Sequence, residues 1–274
     1  MLLGLNNGCF QEAYKASWNY YKELKERSNM NIGFCNMNFW KPVYDMKFSE
    51  KQEYLVEKVK NEEPVILAIN EHASHQTLIS NLDKMLGGEY SVVKPNFDNV
   101  SHPRSLQNLL IIKDGIKYTI QNVNCCLPNR LNVVDVYLLG EDEDKTPIRI
   151  INVYMVQTAI LKPHLRENRE NLSRKLWKEI KELLESEEYR RIPTIVMGDL
   201  QELSSGENIK YLTETLGYYE LVEGFAPVST FDNKTIDHVL FSREAREILK
   251  PRNYSVNNDA LSYSDHPYIS VEVA

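Results

Sequence analysis

Ile195-Val-Met-Gly-Asp-Leu-Gln201 decides how this chain is read, because an apolar run stops abruptly at Gly198-Asp199. Short apolar, β-branched runs form buried strands, so Asp199 is expected at a strand end. A carboxylate there sits on the rim of a sheet, partly desolvated, where it can hold a metal or orient a proton. Two later segments repeat the arrangement. Thr235-Ile-Asp-His-Val-Leu-Phe-Ser242 carries Asp237, and Ser264-Asp-His-Pro-Tyr-Ile-Ser270 carries Asp265 and His266. One such aspartate could cap a loop, but three in the last third of the chain point to a shared active-site rim.

The rest of the chain sets bounds. Its 274 residues, 42% hydrophobic and 26% charged, suit one large α/β domain or two small ones. A net charge of -7 argues against a general basic coat for nucleic acid and leaves a local groove open. Cys9, Cys35, Cys125 and Cys126 lack paired CxxC spacing, so they read as buried thiols in a reducing compartment. The opening Met-Leu-Leu-Gly-Leu is too short for a signal sequence, and no apolar run reaches membrane-spanning length. A cytoplasmic monomer with no membrane association is the expectation.

Upstream of the rim, residues 8–28 place Phe10, Tyr14, Trp18, Tyr21 and Leu24 on one helical stripe. Residues 1–30 therefore read as an N-terminal helical extension and 31–274 as the main domain. Asn31 to Phe39 reads as a strand, and Phe48 to Lys60 as a helix with Leu55, Val56 and Val59 inward. Val65-Ile-Leu-Ala-Ile69 is a buried strand ending at Asn70-Glu71. Strands follow at Leu109 to Ile112, Lys117 to Asn122, Asn132 to Leu139 and Ile148 to Met155, the last two joined by the acidic loop Gly140 to Thr146. His164 to Glu187 is a long helix with Leu172, Leu176, Ile180 and Leu183 inward.

Taken in order, Phe34-Cys-Asn36, Leu67-Ala-Ile-Asn-Glu71, Asn152-Val-Tyr154, Gly198-Asp-Leu-Gln201, Ile236-Asp237 and Ser264-Asp-His266 form a series of strand-end polar residues. From about Asn31 onward this series resembles the endonuclease/exonuclease/phosphatase superfamily of exonuclease III-like and DNase I-like metal-dependent phosphoesterases. The family's pattern is an Asn, a Glu, a mid-chain His or Tyr, Gly-Asp-x-Asn, an Ile-Asp strand and Ser-Asp-His. The resemblance implies a four-layer α/β sandwich, two mixed sheets packed face to face with helices outside.

It also implies the chemistry. Phosphoester cleavage needs a counter-charge on the phosphoryl oxygens, an activated water and a stabilised leaving group. Glu71 and Asp265 would hold Mg²⁺, with Mn²⁺ as a substitute, since hard cations take carboxylate oxygens. His266 would face the phosphate, its tautomer held by Asp237. Asp199 would orient or deprotonate the water or assist the leaving group, and Tyr154 and Asn36 would donate hydrogen bonds to the phosphate. Asn38 shares a strand face with Asn36 and is its rival.

One position departs from the pattern: Gln201 stands where the family has Asn, and the resemblance implies that it contacts the phosphate with the same amide on a longer stem. The expected reaction is Mg²⁺-dependent hydrolysis of DNA or RNA phosphodiesters. Its rivals are a phosphatase of a small phosphorylated molecule or inositol phosphate, and a catalytically silent binding module of the same fold, which only Gln201 favours. Three features carry less. His72 and His75 lack a third ligand for zinc and read as loop or rim residues. Lys162, Arg166, Arg169 and Arg174 read as a solvated helix face. Arg130 precedes a strand, and the sequence leaves open whether it meets a phosphate.

Overall fold

The computed structural model describes residues 30–39, 48–95, 106–138, 146–158, 163–221 and 236–274. The helix expected over residues 8–28 lies outside these residues, as does all but Thr146 of the acidic loop. Among the described residues, two six-stranded sheets form the body. The first contains β1 (Met30–Asn36), β2 (Ile66–Ala73), β3 (Tyr90–Val93), β4 (Leu106–Lys113), β11 (Asn253–Asn257) and β12 (Tyr268–Val273), in the order β11-β12-β1-β2-β4-β3. The second contains β5 (Tyr118–Ile120), β6 (Leu131–Val136), β7 (Ile148–Tyr154), β8 (Thr194–Asp199), β9 (Tyr219–Glu220) and β10 (Asp237–Phe241), in the order β5-β6-β7-β8-β10-β9. Both sheets are mixed: β1 with β2, and β7 with β8, run parallel, and the other pairs are antiparallel.

Burial explains the layers. Strands covered on both faces become continuous apolar runs, and β2, β6, β7 and β8 are buried at every residue. The inner faces meet in one core through Phe34, Ile66, Leu110, Val134, Ile150, Met197 and Val239. On the outer face of the first sheet, Leu67, Ile69 and Leu109 pack with Leu55 and Val59 of α1 (Phe48–Glu62) and Leu82 of α2 (Gln76–Leu86). On the outer face of the second, Ile151, Val153 and Val196 pack with Leu176, Trp177, Ile180 and Leu184 of α3 (Pro163–Glu185). The result is the expected four-layer α/β sandwich.

The stripe of α3 differs from the sequence reading. Leu172 is exposed and Leu183 only partly buried, while Trp177 and Leu184 are inward. No side chain over residues 164–175 is fully buried, so the covered stripe of α3 begins at Leu176. Arg166, exposed and paired with Glu170 at 2.8 Å, fits the solvated-face reading, because such pairs contribute little; Lys162 lies outside the described residues. His72 is corrected more sharply. It is a buried β2 residue whose Nδ1 donates to the Ala73 carbonyl at 2.7 Å, and its ring stands 4.3 Å from that of Phe39. Burial holds its pKa down near 4.

Two backbone features aim the strand ends. At Gly198 (φ 149°) an added Cβ would lie 1.8 Å from the Val153 carbonyl oxygen, so only glycine lets β7 and β8 approach before Asp199. In β2 the register with β4 shifts between Ile69 and His72, and Glu71 takes a left-handed φ of 55°. Such a bulge re-aims side chains: Asn70 reaches into the facing sheet while Glu71 turns toward Asn36.

Candidate active site

Register brings five of the six sequence segments to one end of the sandwich, and a hydrogen bond from His266 to Asp237 brings the sixth. Asn36 pairs with Asn70 across β1 and β2, Tyr154 with Asp199 across β7 and β8, and Asp199 with Asp237 across β8 and β10. A polar seam fixes the sheets relative to each other. Asn70 Nδ2 donates to Asn152 Oδ1 at 2.6 Å, and Asn70 Oδ1 accepts the Asp199 amide at 2.8 Å. Asn152 Nδ2 in turn donates to the carbonyls of Ile69 and Leu109 at 3.2 and 2.9 Å. Buried amides with all groups paired specify one arrangement, because leaving them unpaired costs about 1–3 kcal/mol each.

On this frame Asn36 Nδ2 donates to both Glu71 Oε1, at 3.1 Å, and Asp199 Oδ2, at 2.9 Å. It thereby joins the acidic groups of the two sheets. His266 Nδ1 lies 2.8 Å from Asp237 Oδ2, so Nδ1 is the donor, and Nε2 faces Asp199 Oδ2 at 3.8 Å. Asn38, the rival of Asn36, donates from its backbone N to Asn36 Oδ1 at 3.0 Å, while its side chain donates from Nδ2 to both oxygens of Asp265, at 2.8 and 3.1 Å. Gln201 donates from Nε2 to Asp199 Oδ2 at 2.7 Å and from its backbone N to Oδ1 at 3.1 Å. Asn38, Glu71 and Gln201 are three of the five described non-glycine residues with positive φ. Strain of this kind gathers at functional sites.

Electrostatics follow from burial and crowding. Asp199 is fully buried, and desolvation, with Asp237 and Glu71 nearby, raises it to about 7 against the lowering effect of His266. For His266 burial favours the neutral ring, but Asp237 outweighs it, with Asp199 and Asp265 adding, and the imidazole titrates near 9. Burial, then the Glu71 charge, keeps the Tyr154 phenol protonated and hydrogen-bonded to Glu71. Four carboxylates (Glu71, Asp199, Asp237, Asp265) crowd around His266 and the buried Lys51, and Arg130 stands over the Tyr154 ring beside them.

The donor chemistry decides where a metal would fit. Ligand atoms of Asp199, Asp237 and His266 come within 4.8 Å of one another. There, however, Asp237 and the imidazole are already committed to each other, and a hard cation prefers oxygen donors. Glu71 offers such oxygens beside Asn36 within this carboxylate-rich group, so the residues present fit a hard divalent cation such as Mg²⁺ or Mn²⁺.

Sequence reading missed Lys51 of α1 as well as the seam asparagines. Lys51 is 1% exposed, and its Nζ donates to the carbonyls of Met37 and Asn38 at 3.0 and 2.8 Å. It looked like one of several surface lysines on an amphipathic helix; only the tertiary placement of residues 37–38 reveals it. Lys51→Met keeps the stem and removes the donor, which loosens the turn holding Asn38 against Asp265. Small misplacements cost rate steeply, so kcat is expected to fall about tenfold, with Lys51→Arg recovering part in the same assay.

No family model and no curated protein matches the sequence. Solved structures do resemble it. An endonuclease/exonuclease/phosphatase from Bacteroides vulgatus is 13% identical, with a TM-score of 0.64 over 90% of this chain and 98% of that one. An AP endonuclease from Archaeoglobus fulgidus is 12% identical, with a TM-score of 0.60 over 88% and 98%. A mannosyl-6-phosphatase from Bacteroides thetaiotaomicron is 14% identical, with a TM-score of 0.59 over 89% and 99%. The chain has the endonuclease/exonuclease/phosphatase fold.

Proposed function

We propose that the protein is a divalent-metal-dependent phosphoester hydrolase, acting first on DNA or RNA phosphodiesters. The observation that carries this reading is the chain Asp237–His266–Asp199, joined to Glu71 through the Asn36 amide. Mg²⁺ or Mn²⁺ at Glu71, with Asp265 as the second proposed ligand, would polarise the phosphoryl oxygens. The remaining steps belong to side chains. Asp237 fixes the ring so that Nε2–H of His266 points at the position a phosphate takes beside Asp199. Asp199 accepts the proton of an attacking water or supports the leaving oxygen. Tyr154 donates from its phenol, and Asn36 from the amide now shared between Glu71 and Asp199.

A second reading, a phosphatase of a small phosphorylated molecule, draws support from a cleft of about 670 Å³ that opens beside Gln201. Glu182, Glu185, Glu202 and Glu207 line it against Arg174, Lys178 and Lys181. A wall with more carboxylates than cations suits a short or neutral group better than a polyanionic strand. Among the solved structures of this fold, one is an AP endonuclease and another a mannosyl-6-phosphatase, so the fold serves both classes. Assays with Mg²⁺ or Mn²⁺ against duplex DNA, abasic DNA, single strands, RNA, sugar phosphates and inositol phosphates separate the two. No turnover of any of them would leave a silent binding module.

Gln201 enters this scheme through Asp199. Asparagine adopts left-handed backbone more readily than glutamine, and its shorter stem would release Asp199 Oδ2 and free the amide for the phosphate. Gln201→Asn is expected to give equal or higher kcat and a slightly higher unfolding midpoint. A large loss of kcat would show that the longer side chain is adapted to a different substrate.

A further inference from the structure

His238 and Glu220 form a buried pair that no proposed step uses. Both side chains are 0% exposed, and His238 Nδ1 lies 2.6 Å from Glu220 Oε1. His238 directly follows Asp237 on β10, and successive side chains of a strand point to opposite faces. Asp237 therefore shares the inner face with Val239 and Phe241, and His238 the outer face with Leu240. On that outer face the second ring nitrogen, Nε2, lies 2.7 Å from the main-chain oxygen of Glu202. A carbonyl only accepts, so Nε2 is the donor, and Nδ1 and Oε1 share a second hydrogen between them. Ser204 Oγ donates to the same Glu220 Oε1 at 2.8 Å. The pair thus ties residues 202 and 204 to β9 and β10.

What it ties lies directly behind Asp199, because residues 200–204 continue from the end of β8. Leu200 N donates to Ile236 O at 2.9 Å, and Gln201 N donates to Asp199 Oδ1 at 3.1 Å. Gln201 holds a left-handed φ of 53°, which a residue with a side chain keeps only when its surroundings impose it. Glu202 stiffens the loop further, its carboxylate accepting Asn208 N and Nδ2 at 2.8 and 2.7 Å. As a source of stability the pair is a poor device. Desolvation of two buried polar partners offsets most of their attraction, and Glu220 Oε2 has no hydrogen-bond partner among the described residues. Fixing one arrangement of the loop is the role that its geometry does serve.

We infer that His238 and Glu220 are positioning residues for Asp199: they hold the backbone of residues 201–202 so that the Gln201 amide keeps the Asp199 carboxylate aimed at the site. This rests on the role given to Asp199 above and deepens it. The tie is to the backbone, so it does not depend on which side chain stands at 201. Asp199 is then supported through both faces of β10, by Asp237 and His266 within the sandwich and by His238 from outside.

The test uses the full chain as wild type, His238→Asn, His238→Gln and Ser204→Ala. An asparagine amide falls near the place of Nδ1 and a glutamine amide near that of Nε2, so His238→Asn drops the donor to Glu202 and His238→Gln keeps one. Backbone hydrogen exchange, read by NMR without substrate or metal, comes first. In His238→Asn the Gln201 amide is expected to exchange about tenfold faster or more relative to the core amides of β8, with His238→Gln close to wild type. Ser204→Ala, at a partly buried position, should shift the Gln201 amide less and in the same direction, and it serves where His238→Asn does not fold. Hydrolysis comes second: kcat in His238→Asn should fall by about tenfold to a hundredfold with KM nearly unchanged, and His238→Gln should recover part. Equal acceleration of exchange at Gln201 and throughout β8 would make the pair merely structural and overturn the inference. So would an unchanged Gln201 amide in His238→Asn and Ser204→Ala, or an unchanged kcat in His238→Asn with wild type active. Failure of wild type to hydrolyse any phosphoester would overturn the phosphoesterase reading instead, and the exchange measurement would still decide whether the pair holds the Gln201 amide on Asp199.

Discussion

Asp237→Asn and His266→Ala are each expected to lower kcat by about a thousandfold, and the double variant to be little worse than either. The reason is that they perform one task. His266 Nδ1 donates to Asp237 Oδ2 at 2.8 Å, in a pocket where Asp237 is fully buried and His266 3% exposed. The carboxylate does two things at once: it fixes Nδ1 as the donor, and its charge keeps the ring cationic. An asparagine there keeps the shape but offers no charge, and its amide can turn a donor toward Nδ1, which favours the other tautomer. Without the ring, Asp237 has no imidazole to hold. Groups that act as a unit lose their contribution together, so measured losses should overlap almost completely. Strictly multiplicative losses in single-turnover rates would show two independent roles. A drop in unfolding midpoint large enough to empty the folded state would make the loss structural, and thermal unfolding of each variant distinguishes that.

The strand ends were legible in the sequence because a buried strand has a hydrophobic signature that a terminal carboxylate interrupts. Gly198-Asp199, Ile236-Asp237 and Asn70-Glu71 are local patterns, and each falls at the same end of its sheet. The four layers came from the resemblance that these strand-end segments carry; the apolar strands by themselves call only for cover on both faces. What stayed hidden depends on distant partners. Nothing adjacent to Asn70 or Asn152 shows that they meet between the sheets, because residues 82 apart in sequence become neighbours only after packing. Lys51 was hidden in the same way, its Nζ reaching carbonyls 13 and 14 residues upstream. The direction of the Gln201 side chain was not legible: its amide donates to Asp199 Oδ2. A left-handed backbone at 201, which the sequence does not announce in a glutamine, sets that direction. His72 and Leu172 also depart from the sequence reading, His72 being buried within β2 and Leu172 exposed on α3.

The other large effect is expected from the metal. Chelation with EDTA should reduce turnover to background, and Glu71→Gln should raise the Mg²⁺ or Mn²⁺ concentration needed for half-maximal rate by about a hundredfold or more, as expected when a carboxylate ligand is lost. The crowding of carboxylates sets the direction. Glu71 is 7% exposed and lies in a bulge with strained backbone, joined through Asn36 to Asp199, which burial and neighbouring carboxylates hold near 7. Such a cluster costs stability unless a cation offsets it. In metal-free buffer Glu71→Gln should therefore unfold at the same temperature as wild type or higher, because it removes one of the repelling charges while keeping the shape. Added Mg²⁺ should reverse the ranking. A ligand at about a hundred times its Kd stabilises the folded state by about 2.7 kcal/mol, so wild type should gain several degrees of melting temperature and the variant little. This readout needs no substrate and stands even before the substrate is known. Undiminished turnover in EDTA, or equal metal-induced stabilisation of wild type and Glu71→Gln, would remove Glu71 from the metal site and leave the Asp237–His266–Asp199 chain to account for catalysis alone.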